Sequence, residues 1–169
     1  MFSKGDYVYY ASGGICRIDA VEYAPLEGMP SDRLYYVMHS LHDPNGVIYL
    51  PVDCETVFFR RVLTKEEAED FLREIPNVPP FAEPNAKSLR SRYQESMKKH
   101  DPLEWLRIIK TVHGRMQAFS ESRTQRVSET ERSIAEDAKR FLYTELSVAL
   151  NVPAGNMEDY IRKFVDEGA

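Results

Sequence analysis

The sequence predicts an α+β fold: a small antiparallel β-barrel followed by an all-helical module. Three observations carry this reading. Short β-branched and aromatic runs separated by turn residues fill positions 1–63. From Thr64 onward the apolar residues recur at three- and four-residue intervals. Between the two patterns lies "PNVPPFAEPN", Pro76 to Asn85, whose four prolines make it a semi-extended connector. The predicted organisation is a β module over 1–63, a helix plus connector over 64–85, and a helical domain over 86–169.

The strands follow in order. Val8, Tyr10, Ile15, Ile18 and Val21 mark two runs broken by a turn at Gly13-Gly14. "RLYYVMHSL" is the next run. "DPNG", Asp43 to Gly46, is a turn signal, because Pro pre-sets φ and Asn-Gly supplies positive φ. "VIYLPV" and "VFFRRVL" complete about five strands, the number that suits a small barrel. So short a β segment makes a small core.

The helices carry start and stop signals. Thr64 with Glu67, and Ser128 with Glu131, are capping boxes. The first opens a helix buried through Ala68, Phe71, Leu72 and Ile75. The second opens one running through Ile134, Phe141, Leu142, Leu146 and Leu150 to "NVPAGN". A helix from about Asn85 to Lys99 precedes Asp101-Pro102, an N-cap followed by proline at the first helical position. The third helix reaches about Phe119, and "SESRTQRV" is a polar loop. A last helix, about Asn156 to Asp166, presents Met157, Tyr160, Ile161 and Phe164 on one side.

Composition narrows the function classes. Apolar residues make up 43% and charged residues 29%, which is globular and argues against disorder. No apolar run approaches the ~20 residues of a membrane helix. The N-terminus lacks a signal-peptide core, so a cytoplasmic location without membrane contact is expected. Cys16 and Cys54 read as small fillers on strands. His39 and His42 lack companions at metal-ligand spacing, and phosphate-loop, dinucleotide and nucleophile-elbow motifs are missing. No nucleophile, base and orienting group assemble, so the expectation is a binding protein with no catalytic residue, metal or cofactor.

Charge supplies the lead. Residues 1–86 hold 7 basic and 14 acidic side chains, whereas residues 87–150 hold 13 and 9, so the two halves suit different partners. The segment "AKSLRSRYQESMKK", Ala86 to Lys99, concentrates five cations around one glutamate. At helical spacing Lys87, Arg90 and Lys98 fall near one side, and such side chains contact phosphates. A solvated basic face is the plain alternative. Tyr93, Met97 and Trp105 read as core, whereas Leu89 reads either as core or as an apolar contact to a base step.

"KGDYVYYASGGICRIDAVE", "YYVMHS", "IYLPVDCE", "SRYQESMKK" and "ERSIAEDAKRFLYTELSVAL", in that order, resemble the CarD/CdnL family of bacterial transcription regulators. The first part also resembles the polymerase-interacting module of the transcription-repair coupling factor. The resemblance implies a Tudor-like β module that binds the β subunit of RNA polymerase. It implies a helical module that contacts promoter DNA at the upstream edge of the bubble, by the minor groove and phosphates with weak sequence preference. The two together stabilise the open complex, and the protein would associate with the nucleoid through polymerase.

At residue level, the family's wedge tryptophan maps onto Leu89, ahead of "RSRY", and one of its two basic positions becomes Ser91. The implied DNA-binding set is Lys87, Leu89, Arg90, Arg92, Lys98, Lys99, Arg132, Lys139 and Arg140. Two arginines that some members use against polymerase correspond to Ala24 and Tyr49, so this chain would use other groups. Pairing along a strand edge tolerates such changes. The implied polymerase-binding residues are Arg33, Tyr35, Tyr49, Leu50, Pro51 and Val52. The expected state is a monomer, with a domain-swapped dimer accessible through exposed strand edges. A protein-only adaptor, whose basic helix meets an acidic protein surface, is the rival class.

Overall fold

The computed structural model describes residues 1–122 and 126–168. The chain divides into two compact units, Met1–Val62 and Leu63–Ala169. The helix and connector that the sequence sets apart at 64–85 pack within the second unit.

The first unit is a five-stranded antiparallel sheet: β1 Tyr7–Tyr10, β2 Gly14–Tyr23, β3 Leu34–Ser40, β4 Asp43–Pro51 and β5 Phe59–Arg61. Its order is β4-β3-β2-β1-β5. The expected closed barrel is therefore corrected to an open sheet, with β4 and β5 as its edges. Strand β5 is only three residues long and pairs with β1. The sheet is nevertheless strongly curled. Tyr36 on β3 and Phe59 on β5 stack at 5.5 Å. Three interstrand steps on a flat sheet would set their strands about 14 Å apart. Phe2 fills the concave side, edge-on to both rings, and donates its backbone N–H to the Tyr36 hydroxyl. Val8, Cys16, Ile18, Tyr36, Met38 and Leu50 form the buried cluster beneath them.

Turn chemistry decides the register. Gly14 adopts φ 70°, which the β1–β2 corner requires and glycine supplies. "DPNG" does not make the β3–β4 hairpin turn. Pairing passes from Met38↔Ile48 to Ser40↔Asp43, so the chain reverses at Leu41 and His42 and the extra residues bulge out of β4. The Ser40 hydroxyl fixes the reversal, donating to the Gly13 carbonyl at 2.6 Å and accepting from the His42 N–H at 3.2 Å. The Asp43 carboxylate then accepts the Gly46 N–H at 3.2 Å, an Asx turn inside the bulge.

The second unit has α1 Lys65–Glu74, α2 Ala86–Lys98, α3 Pro102–Ser122, α4 Glu129–Leu150 and α5 Met157–Glu167. Both capping boxes form, and Asn85 caps α2 by accepting the Ser88 N–H. Asp101 accepts the Leu103 N–H at 2.8 Å and starts α3. The centre of "SESRTQRV", residues 123–125, lies outside the described residues, and Ser120–Ser122 extend α3. Helix α4 ends on Asn151 at φ 55°.

Helices α3 and α4 form the central pair. α1 packs on α4 and α5, and α2 packs on α3 and α4. Trp105, Ile108, Leu142 and Leu146 are fully buried, and Trp105 lies 5.7 Å from Phe141. The connector is stapled to α3. Phe81 donates its N–H to the Thr111 hydroxyl at 2.8 Å. The Lys110 ammonium donates to the carbonyls of Ile75 and Val78, at the two ends of a short 3-10 turn after α1. Burial holds the Lys110 ammonium below its ordinary pKa.

Three helices meet at Glu131. Its carboxylate accepts from Arg115 of α3 at 3.0 and 3.1 Å, from the Tyr93 hydroxyl of α2 at 3.1 Å, and from the Ser128 N–H of its own cap. Burial and the Glu131 charge push the Tyr93 phenol far above its ordinary value, so it stays protonated and donates. Glu131→Ala is expected to lower unfolding free energy by about 2–4 kcal/mol, because a half-buried guanidinium and a cap both lose their acceptor. Tyr93→Phe is expected to lose only ~1 kcal/mol. Urea titration followed by circular dichroism separates the two.

Candidate functional site: a basic helix face and a strand edge

Helix α2 amphipathically divides its side chains. Leu89, Tyr93 and Ser96 face inward and are buried. Lys87, Ser91, Gln94 and Lys98, spaced at i, i+4, i+7 and i+11, are exposed on the opposite side with Arg90 on its flank. Eleven residues of helix rise about 16 Å, so these groups make a stripe rather than a point.

The nine sequence-assigned DNA contacts sort into three sets. Lys87, Arg90, Lys98 and Arg132 are exposed and have no ion pair among the described residues. Arg92, Lys99, Lys139 and Arg140 each have a carboxylate partner. These are Glu95 at 3.9 Å, Glu104 at 3.4 Å, Glu158 at 3.8 Å and Asp137 at 3.3 Å. Exposed pairs of this kind are worth about 0–1 kcal/mol each, so a phosphate can compete for the cation, but its charge is already partly matched. Arg92 also lies over the Phe81 ring at 5.0 Å, opposite Arg107 at 4.3 Å. Lys99 serves a local network: burial pushes the Glu104 carboxyl up, and the Ser96 hydroxyl together with Lys99 bring it below its ordinary value.

Leu89 forms the third set alone. It is 5% exposed and lines a cavity with Phe81, Thr111 and Ala118. The side chain lies in the interhelix core, which is one of the two readings of Leu89, and reaching a base would mean leaving it. Its place three residues into α2, between Asn85 and Tyr93, sets it on the inward face. Trp105, 0% exposed, is likewise core.

The β unit offers a different kind of surface. Strand β4 is an outer strand, paired only on its β3 side. Val52 donates its N–H to the Leu34 carbonyl at 3.0 Å. By alternation the Leu50 and Ile48 backbones point into the ladder, and those of Val47, Tyr49 and Pro51 point outward. Proline therefore sits where a missing N–H breaks no internal bond, as an edge tolerates. Among the sequence-assigned polymerase contacts, Leu50 at 5% and Tyr35 at 7% exposure are corrected to interior side chains. Tyr49, Pro51 and Val52 are half-buried on or next to the edge. Arg33 is exposed and pairs with Asp53 at 3.5 Å. Val47, 55% exposed, was not picked out by sequence reasoning, although its period-two relation to Tyr49 and Pro51 was available.

The two cysteines sit in opposite environments. Burial pushes the Cys16 thiol up to about 11. Cys54 follows β4 rather than lying on a strand, and hydrogen bonds from Thr56 hold its thiol below the ordinary value. Among the described residues no group of three His, Cys, Asp or Glu side chains could hold a metal. No helix among them is long and apolar enough to cross a membrane.

The family model described as the CarD-like/TRCF RID domain matches residues 2–63, a span that coincides with the β unit. No curated protein matches the chain. The helical unit lies outside the matched span. With its open curled sheet and accessible outer strand, the N-terminal unit belongs to the CarD-like/TRCF RID family of RNA-polymerase-interacting domains.

Proposed function

We propose that this protein is a transcription regulator that holds the RNA polymerase β subunit through its β unit and promoter DNA through the outward face of α2. Together these contacts stabilise the open complex at the upstream bubble edge. One observation carries the reading: the cations of α2 left without a carboxylate, Lys87, Arg90 and Lys98, share an exposed side with Ser91 and Gln94. That stripe belongs to a chain whose other unit is a polymerase-interacting domain. Cations and short polar groups on one side of a helix suit phosphates, a contact that tolerates sequence. Arg132 extends the set, and Arg92, Lys99, Lys139 and Arg140 are secondary because each would exchange a carboxylate for a phosphate.

A few phosphate contacts bind DNA weakly. Tethering to polymerase raises the local DNA concentration to roughly the millimolar range and makes weak contacts sufficient. A ligand shifts an equilibrium only by its differential affinity. A preference of about 1.4 kcal/mol for open over closed promoter changes the population about tenfold.

On the polymerase side, the outward N–H and C=O groups of Tyr49 and Val47 suit addition of a partner strand to β4. Such pairing needs backbone rather than particular side chains, which accommodates the residues at positions 24 and 49.

Two measurements test these parts separately. Combined Lys87→Glu, Arg90→Glu and Lys98→Glu substitution should shorten open-complex lifetime and reduce the salt slope of DNA binding by about 3, with polymerase affinity retained. Retained polymerase binding with unchanged opening would make the protein an adaptor that does not use DNA. Tyr49→Pro removes an outward N–H without removing an internal ladder bond, so it should weaken polymerase binding about tenfold more than Tyr49→Ala. Equal affinities for the two variants would set strand addition aside.

A further inference from the structure

The helical unit is electrically two-sided. Helix α2 with Lys99 carries five cations and one acid, whereas α1 and α5, which pack on each other, together carry four cations and nine acids. The acidic pair also frames a groove. Leu72, Pro76, Phe164 and Val165 give it an apolar floor and walls, with Arg73 and Asn77 at the rim, and its volume is about 460 Å³. Volumes of roughly 300–1,000 Å³ are typical of recognition pockets.

Arg73 does not make this rim positive. Its guanidinium is held by Asp70 at 2.6 Å and by Glu69 at 3.9 Å, and it lies over the Phe164 ring at 5.8 Å. Asn77 is turned toward Glu74 at 3.4 Å. Glu69, Asp70 and Glu74 therefore gather three acids against one cation on the α1 side of an apolar cleft, and none of the groups assigned to polymerase or DNA lines it.

We propose that the α1–α5 groove docks a Lys/Arg-rich amphipathic segment of a partner protein. Its apolar anchors would enter between Leu72 and Phe164, and its cations would meet Glu69, Asp70 and Glu74 on the α1 side. An apolar cleft with a charged rim is the form in which helices are received in grooves. A second copy of this chain suits the cleft less well. Its basic α2 stripe matches the rim in sign but carries Lys87, Ser91, Gln94 and Lys98 where anchors are needed.

The probe is a labelled fourteen-residue peptide with leucines at i, i+4, i+7 and i+11 and lysines elsewhere, titrated into the full chain by fluorescence anisotropy. Two controls accompany it: the same peptide with glutamates for lysines, and a scrambled isomer without an apolar face. The lysine peptide should bind at least about tenfold tighter than either, and more weakly as salt rises. Val165→Trp, which fills the cleft, and Asp70→Lys, which reverses an exposed rim charge, should each weaken it about tenfold. Asp70 has 76% of its side chain exposed, so that variant keeps the fold even where the tryptophan does not. Equal binding of the glutamate or scrambled peptide overturns the proposal, as does lysine-peptide binding unaffected by Asp70→Lys. Concentration-dependent dimerisation that Asp70→Lys abolishes also overturns it, by making a second copy the occupant.

Discussion

The Glu131 carboxylate holds the helical unit in the arrangement on which the α2 surface depends. It accepts from α2 through Tyr93, from α3 through Arg115 and from its own helix cap through Ser128. A carboxylate has about four lone-pair positions, and this set nearly fills them. Each donor comes from a different place in the chain, so the group fixes the rotation of α2 about its axis as well as its distance from α3. Rotation matters because the helix is only useful outward if Leu89 and Tyr93 point inward. A turn of one residue, about 100°, would bring apolar groups to the surface and bury cations. The same carboxylate caps α4, so helix initiation and interhelix orientation are one event.

Electrostatics separate the remaining surfaces. Cations near acids are abundant, and four of the eight basic residues assigned to DNA end in such pairs. What distinguishes Lys87, Arg90 and Lys98 is the helical period. Glu95 is the only acid of α2, and it falls on the flank beside Arg92 rather than among them. Positive charge therefore survives as a stripe. On α1 and α5 acids outnumber cations nine to four, and Glu69, Asp70 and Glu74 lie beside the groove rim. The two faces cannot serve one partner, because a surface complementary to one repels the other. The β unit offers a third chemistry, the main-chain groups of an outer strand, which is largely independent of side-chain charge.

Much of the fold was legible in the sequence. The two capping boxes, Asn85, Asp101-Pro102 and the period change at Thr64 are local signals, and each element begins where its cap requires. Strand number was legible for the same reason. Sheet closure was not, because it depends on whether the two edge strands, β4 and β5, meet across the curl, and β5 is only three residues long. The fate of "DPNG" was also hidden. Its residues favour a turn, and they make one, but the Ser40 hydroxyl secures the reversal two residues earlier. The connector's attachment through Phe81 and Lys110 had no sequence signal beyond an aromatic among prolines.

The residue types of the candidate site were legible in the sequence, and their burial and pairing were not, for one physical reason. Charge and residue type can be counted along a chain, but burial and pairing are properties of three dimensions. Leu89 stands directly before Arg90 in sequence and about 100° around the helix from it in space, which separates a core residue from a surface one. Arg92 and Lys99 have the composition of phosphate contacts, yet Phe81, Glu95 and Glu104 already occupy them. On β4 the correction runs the other way. Leu50 and Tyr35 drop out as side chains, while the strand that contains Leu50 gains importance through its backbone. Main-chain groups at a strand edge leave little trace in residue identity, so the proposed strand addition would accommodate alanine at position 24 and tyrosine at position 49. Strand geometry then constrains the sequence only where Pro51 must face outward and Val47 must tolerate exposure.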